Sequence, residues 1–341
     1  MALVMIPSMI RTSLQVEIKT LKLAEPFRIA HGTSSEREVL RLDWRGAVGE
    51  APFVPYYPDR PEDTIRWLES LQWNGQSVPV SGPPVGRLAL DLLWHDAIGK
   101  ERQQPLWQLW GLRADKPIAG CRSLSIPTDL DAYAEKVREI ARQFTVLKLK
   151  VGSGNPDLDE AIMQRAREAA PHARIFADAN GGWSVADAVK LIPIASNYGL
   201  SFIEQPIHHA GGVEAWRELR AALPSCPLPL YADESAQKPD DIEKLSGLVE
   251  GVNVKLLKCG GMEETKLMIR FARANKMKVL LGCMIESSVG VTAAAHLAPL
   301  ADGIDLDGHF YVANDDYEGI RYSETGNLIM PAGAGIGVRK I

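Results

Sequence analysis

Residues 145–178, TVLKLKVGSGNPDLDEAIMQRAREAAPHARIFAD, hold one complete repeat of the fold. Thr145–Val151 reads as an apolar strand with Lys148 and Lys150 on one side. Leu158–Ala170 has the apolar spacing of a helix lying on a sheet, and Arg174–Asp178 is a second apolar strand closed by an acid. Two strands joined through a helix pair in parallel, since only a crossover returns the chain in the same direction. The unit recurs on both sides. Strands are expected at Ile118–Ile126, Thr145–Val151, Arg174–Asp178, Leu200–Glu204, Leu228–Asp233, Val252–Leu257, Val279–Cys283 and Gly303–Asp307. Helical patterns lie between them at Val185–Tyr198, Val213–Leu223, Asp241–Leu248 and Glu263–Asn275, with Ser184 and Asp240 among the opening caps. Strand-helix alternation on continuous apolar strands implies a parallel sheet covered on its outer face, and eight units in about 200 residues indicate a TIM-type barrel rather than an open doubly wound sheet. No GxGxxG follows any strand, which argues against a dinucleotide-binding fold.

Ahead of the barrel the style differs. Ser13–Leu23 and Val39–Trp44 alternate polar and apolar residues around a turn expected at Gly46–Gly49, the signature of an antiparallel sheet. Two helical stretches follow, Glu62–Leu71 and the more apolar Val85–Gly99, with Pro52–Pro58 a loop before them. A chain of 341 residues accommodates this α+β front part and a barrel. The composition, 46% hydrophobic and 24% charged, is that of a soluble globular protein. A net charge of −5 without a long basic run excludes a phosphate-neutralising nucleic-acid surface. Cys121, Cys226, Cys259 and Cys283 are scattered, so neither a zinc site nor a disulfide framework is expected and a reducing, cytoplasmic compartment fits. MALVMIPSMI lacks a positive n-region and contains Pro7, so residues 1–12 read as a loose leader, and no apolar run is long enough to span a bilayer.

In a barrel the C-terminal strand ends share one mouth, where active sites are built. Asp178, Glu204 and Asp233 close three neighbouring strands; Lys148 and Lys150 stand on the second strand, Lys255 on the sixth, and Asp305 and Asp307 on the eighth. Each acid alone could cap a helix or pair with a lysine. Three in register must protonate or share a cation, and oxygen ligands without His or Cys select a hard ion, Mg²⁺ rather than a full Ca²⁺ cage. Strands two and six lie opposite each other in a ring of eight, so Lys150 and Lys255 would flank a substrate carbon. An ammonium near Mg²⁺ and another ammonium has its pKa lowered from ~10.4 toward the ~7 to 8 of a general base. Two bases on opposite faces invert configuration. Loss of a proton beside a carboxylate gives an ene-diolate, which Mg²⁺ and Lys148 would stabilise. The competing reading is that these lysines merely salt-bridge the acids. Lys258, three residues beyond Lys255, is read as structural.

LKLKVG at 147–152, DAN at 178–180, IEQP at 203–206, ADES at 232–235 and NVKLLKCGG at 253–261 together resemble the enolase superfamily, muconate-lactonising-enzyme subgroup, and within it the dipeptide epimerases, including those acting on Ala-Glu. A lysine base paired with Mg²⁺ is established chemistry of that superfamily. The resemblance implies a modified (β/α)7β TIM barrel at 115–314, an N-terminal α+β capping domain at 1–114 joined through Leu88–Gly111, and a tail at 315–341 returning to the cap. It assigns Lys150 and Lys255 to acid/base work, Lys148 to orienting a carboxylate, Asp178, Glu204 and Asp233 to Mg²⁺, and Asp305 and Asp307 to a dipeptide's free ammonium. N-succinylamino acid racemase, o-succinylbenzoate synthase and muconate cycloisomerase, whose substrates carry no ammonium there, are the enzyme alternatives. A catalytically silent small-molecule-binding barrel is the other.

The sequence departs from the pattern at one place: the arginine that pairs a substrate glutamate in the first capping loop is replaced by Gly32. Arg28 or His31 are the candidates to stand in. Phe53, Tyr56 and Tyr57 suggest an apolar pocket and so a dipeptide with a hydrophobic or other non-glutamate C-terminal residue, although aromatics in such a loop also serve interdomain packing. Glu286, near the end of strand seven, either faces the substrate or hydrogen-bonds the backbone of the following turn. Homo-oligomers are common among such barrels, and the sequence marks no interface.

Overall fold

The computed structural model describes residues 14–341 except 72, 74 and 76. The leader reading of residues 1–12 and the start of the first strand at Ser13 lie outside the described residues.

Three antiparallel strands, β1 (Gln15–Ile29), β2 (Gly32–Trp44) and β3 (Ala47–Pro52), form the front sheet. The turn between β2 and β3 is Arg45-Gly46 rather than Gly46–Gly49, because those two residues hold the positive φ, 51° and 80°, that a tight hairpin requires. Helix α1 (Pro61–Ser70) follows, then α2 (Pro84–Glu101) and the short α3 (Leu106–Leu109). Helix α2 is buried between two bodies. Its Leu88, Leu92 and Leu93 join a core with Leu40 and Leu42 of β2 and Val291 and Leu297 from the barrel end. The helix approaches β3 so closely that a Cβ on Gly49 would meet the Ala89 carbonyl oxygen at 2.0 Å, so only glycine fits. The carboxylates of α2 tie the parts together: Asp96 accepts from the backbone N–H groups of Val48 and Ile336 at 2.8 Å each, and Asp91 from that of Met262 at 2.7 Å.

The second body is one parallel sheet in the order of the chain: β4 (Cys121–Leu124), β5 (Val146–Lys150), β6 (Arg174–Asp178), β7 (Ile203–Glu204), β8 (Leu230–Ala232), β9 (Gly251–Lys255), β10 (Lys278–Gly282) and β11 (Gly303–Asp305). Its crossover helices are α4 (Leu130–Ala141), α5 (Pro156–Ala169), α6 (Val185–Asn197), α7 (Gly212–Ala222), α8 (Pro239–Leu245), α9 (Leu256–Cys259), α10 (Met262–Ala274) and α11 (Ser288–Ala295). The expected (β/α)7β order is present. Strand nine ends earlier than expected, at Lys255, because Leu256 already begins α9. Ser184 caps α6 in a full capping box with Asp187, whereas Asp240 lies inside α8, whose start is marked by Pro239.

The edge strands β4 and β11 share no backbone ladder among the described residues. Side chains close the seam instead. The Ser123 N–H donates to Asp307 Oδ2 at 2.5 Å, Ser123 Oγ donates to Asp305 Oδ1 at 3.2 Å, and Tyr311 Oη lies 2.5 Å from the Ser123 carbonyl oxygen. Past the barrel, the tail hairpins β12 (Tyr317–Glu318) with β15 (Arg339–Lys340), and β13 (Arg321–Tyr322) with β14 (Leu328–Ile329). It reaches the front sheet through Asp316 to Arg41 and Asn314 to Lys22.

Candidate active site

Period-two alternation sets the site's two layers. Phe176 on β6, Phe202 just before β7 and Tyr231 on β8 form one layer, and two positions later in each segment come Asp178, Glu204 and Asp233. The three rings stack, with centroids 4.3 and 4.1 Å apart, and form the apolar floor under the acids. All three acids are buried, and one oxygen from each falls in a group whose members lie within 4.8 Å of one another. Glu204 Oε2 is buried without a hydrogen bond, although Lys148 Nζ stands 3.0 Å away. Burial and the neighbouring Asp178 hold the Glu204 carboxyl above the usual range, while burial of Asp178 is outweighed by Lys148 and Lys150, which hold it below. Three converging hard oxygen donors, one of them unsatisfied, fit a Mg²⁺-type ion.

Residues without a role in the sequence reading hold these acids. The Asn253 amide donates to Glu204 Oε1 at 2.7 Å. Gln205, at φ 39°, accepts the Asp233 N–H at 2.9 Å and the Ser235 N–H at 3.1 Å, stitching β7 to the end of β8. Asn180, at φ 44°, accepts from Lys150 at 3.1 Å and donates to Glu234 Oε1 at 3.0 Å. Non-glycine residues in the left-handed region are uncommon, and these two lie two residues after Asp178 and one after Glu204. Both stood inside the quoted DAN and IEQP motifs. Lys258, read as structural, is indeed an anchor, yet it lies within the site. From α9 it donates to Asp233 Oδ1 at 2.6 Å and to the carbonyl oxygens of Asp233 and Asn253 at 2.7 and 2.6 Å.

Lys148, Lys150 and Lys255 all line one cavity of about 220 Å³ between barrel mouth and front sheet. Lys150 donates to Asp178 at 2.7 Å, and Lys255 to Asp233 at 2.7 Å. Their strands, β5 and β9, stand four apart in the sheet order, on opposite sides of the acids. Lys148 bridges Asp178, Glu204 and Asp305 at 3.0, 3.0 and 2.7 Å. The expected lowering is not found for two of them. Burial disfavours the Lys148 and Lys255 ammonium groups, but the facing carboxylates outweigh it and hold both pKa values above the ordinary lysine range. A larger hollow of about 540 Å³ at the opposite mouth contains neither these lysines nor the acids, so it is not the seat of this chemistry.

Asp305 and Asp307 also line the cavity, although each already has protein partners: Lys148 and Ser123 for Asp305, Ser123 and Tyr311 for Asp307. Burial and then the charge of Asp305 raise the Asp307 pKa, a state that an incoming cation would relieve.

From the front sheet the cavity is lined by Phe27, Ile29, His31, Gly32, Thr33, Ser34, Arg37 and Tyr56. Four expectations are corrected here. Phe27 and Ile29 line the cavity while Arg28 between them does not; the Arg28 carbonyl oxygen accepts the Ile126 N–H at 3.0 Å. Tyr57 packs into the core beside α2, and Phe53 is buried in the same core, so Tyr56 alone of the three aromatics faces the cavity. Glu286 turns back to accept the Met284 N–H at 3.0 Å, facing neither the cavity nor the turn after it. Gly32 does line the cavity, with open space where a Cβ would stand.

Residues 132–340 match the family model described as Enolase C-terminal domain-like. A Maribacter sp. protein named L-Ala-D/L-amino acid epimerase is 31% identical over 95% of this chain and 99% of its own length. A Roseobacter litoralis protein named hydrophobic dipeptide epimerase is 35% identical over 94% of this chain and 96% of its own. The structure of a dipeptide epimerase from Cytophaga hutchinsonii, complexed with Mg and D-Ala-L-Val, superposes with a TM-score of 0.86 at 26% identity, covering 98% of this chain and 96% of that one. The chain belongs to the enolase superfamily and, within it, to the dipeptide-epimerase family.

Proposed function

We propose that the protein is a Mg²⁺-dependent epimerase that inverts the α-carbon of the C-terminal residue of a dipeptide by a two-base proton transfer. The observation that carries this reading is the placement of Lys150 and Lys255 on strands four apart, facing one cavity from opposite sides of the three-acid cluster. One lysine takes the α-proton from one face and the other returns a proton to the opposite face, so configuration inverts. The Mg²⁺ ion, held by Asp178, Glu204 and Asp233, would supply positive charge beside the substrate carboxylate. Lys148 adds a fixed donor where charge develops as the ene-diolate forms. Asp307, with Asp305 beside it, holds the substrate's free ammonium at the seam of the barrel. The stacked floor of Phe176, Phe202 and Tyr231 keeps water from below the acids. All four cysteines are free thiols, which supports a cytoplasmic setting.

The test is incubation of L,L-dipeptide pools in D₂O with Mg²⁺. Deuterium is expected at the α-carbon of the C-terminal residue, and Lys150→Ala and Lys255→Ala are each expected to abolish epimerisation. Absence of exchange across a broad pool would refute the reading.

A further inference from the structure

The mouth of the barrel opposite the acids contains the hollow of about 540 Å³, within the range of small-molecule sites. It exists because the barrel is not filled to its base. Cys121, Phe176, Phe202, Tyr231 and Leu280 form a buried layer across the interior. Two positions before Cys121 and Phe176, and before the inward-facing Lys148 and Asp305, the next layer offers Ala119, Arg174, Val146 and Gly303, and all four line the hollow. Alanine, valine and glycine thus stand where bulky residues ordinarily close a barrel, and Arg174 is exposed at the rim. The roof of the hollow is the underside of the three stacked rings whose other side carries the acids.

One polar group in that roof is left over. Tyr231 is 8% exposed and lines the hollow, and among the described residues its hydroxyl has no hydrogen-bond partner. The charges that bear on it most are Asp302 and Arg174, both at the hollow, so the hydroxyl end of the ring is the lower one. Burial, and then Asp302, push the phenol up to about 12, which keeps it a neutral donor. A donor withdrawn from water without an acceptor is costly, and a ligand can supply one. The rim is unbalanced in the same sense. Its two acids are taken: Asp302 by Arg273, by Lys278 at 3.3 Å and by the Val279 N–H at 2.8 Å, and Asp115 by Arg113 at 2.9 Å. Lys116 and Arg174 form no ion pair among the described residues, so the positive charge to spare lies with them. Between roof and rim the walls are apolar, with Val146, Val279, Leu280, Ala298 and Ile304.

We propose that this hollow is a second ligand site, for a small organic anion whose single carboxylate accepts from the Tyr231 hydroxyl and pairs with Arg174 while a phenyl-sized apolar body lies against Val146 and Leu280. The guanidinium and the hydroxyl are both donors, and a carboxylate has the lone pairs to take both at once. A second charge on the ligand is disfavoured, because it would be placed against apolar walls or beside the acids already paired at the rim. No carboxylate of the three-acid cluster lines this hollow, so its ligand binds without the metal.

The experiment titrates the full chain with 3-phenylpropanoate by calorimetry, with and without Mg²⁺, against the isosteric neutral 3-phenylpropanamide, and soaks crystals with the acid. The acid is expected to bind with a Kd of about 1 mM or tighter, the worth of a good fragment of its size. That affinity should be the same with and without Mg²⁺, and the amide should bind about 10-fold more weakly. Tyr231→Phe and Arg174→Met should each weaken the acid about fivefold and leave the amide little changed. The wild-type comparison of acid with amide and the soaked crystal decide the matter even if a variant fails to fold. Density for the acid between Tyr231 and Arg174 is the expected result. Density among Lys150 and Lys255 instead, an affinity that requires Mg²⁺, an amide that binds as well as the acid, or a Kd weaker than about 1 mM overturns the proposal.

Discussion

Lys258 Nζ lies 2.6 Å from Asp233 Oδ1, while the other oxygen of the same carboxylate lies 2.7 Å from Lys255 Nζ. One acid is therefore held by two ammonium groups of different standing. Lys255 lines the cavity; Lys258 is behind the acid and also satisfies two backbone carbonyl oxygens. Removing Lys258 leaves a buried carboxylate and two carbonyl groups short of a donor. Lys258→Met is expected to destabilise the fold by about 3 kcal/mol or more. Urea unfolding at pH 7 measures this, and a change under about 1 kcal/mol would show that Lys258 is not the anchor of Asp233.

The three-acid cluster leads to a second expectation. A ligand that binds only the folded state stabilises it by mass action, by about 2.7 kcal/mol at one hundred times its dissociation constant. Adding Mg²⁺ to chelator-treated protein should raise Tm. Asp178→Asn should remove the Mg²⁺-dependent part of that rise, since the variant lacks one of the three anionic donors. An unchanged Mg²⁺ response in the variant would move the ion elsewhere.

Much of this site was legible because strand periodicity is local. The alternation in Phe176-Ala177-Asp178 and Phe202-Ile203-Glu204 puts ring and acid on one face whatever the rest of the chain does. Arg37 was not legible. A charged residue in an alternating antiparallel strand reads as a solvent-facing position, yet Arg37 is buried and lines the cavity. Lys258 was hidden for a related reason: the spacing from Lys255 does not show that one turn of helix intervenes and swings the side chain back under Asp233. Tyr56 and Tyr57 are adjacent, so only the loop's actual path decides which one faces the cavity and which the core.

Stability above neutral pH should depend on His95. In α2 its Nδ1 lies 2.9 Å from the Asp91 carbonyl oxygen and 3.4 Å from Asp91 Oδ2, and its Nε2 lies 3.9 Å from Glu263 on α10. Burial opposes its charge, but the neighbouring Asp91 and Glu263 prevail and bring the pKa up to about 9. The folded state thus binds the proton more tightly than the unfolded chain, whose value is near 6.5. The contribution is complete below pH ~6.5 and is lost as pH rises through about 9. Since Glu263 is largely exposed, about 2 kcal/mol is expected rather than the full shift. Unfolding free energies at pH 6, 8 and 10 should fall in that order, and His95→Gln should flatten this part of the profile. A wild-type profile that stays level from pH 6 to 10 would show that the histidine is not charged in the fold.

Asp307 offers the sharpest division between substrate classes. Asp305 is already salt-bridged to Lys148, whereas the cation beside Asp307, Arg122 Nε, is 3.9 Å away. Asp307 is thus the seam acid with charge to spare for a ligand. In Asp307→Asn the amide oxygen can still accept the Ser123 N–H, so the seam between β4 and β11 keeps its link while the negative charge is gone. If the substrate presents a free ammonium here, kcat/KM for unmodified dipeptides should fall about 10- to 100-fold, the worth of one charge-assisted hydrogen bond. N-acetylated dipeptides, poor substrates for the wild type, should be penalised far less by the same change. Equal losses on both kinds of substrate would assign Asp307 to closing the barrel alone. No loss on either would point to an acylated substrate whose amide never needed that charge.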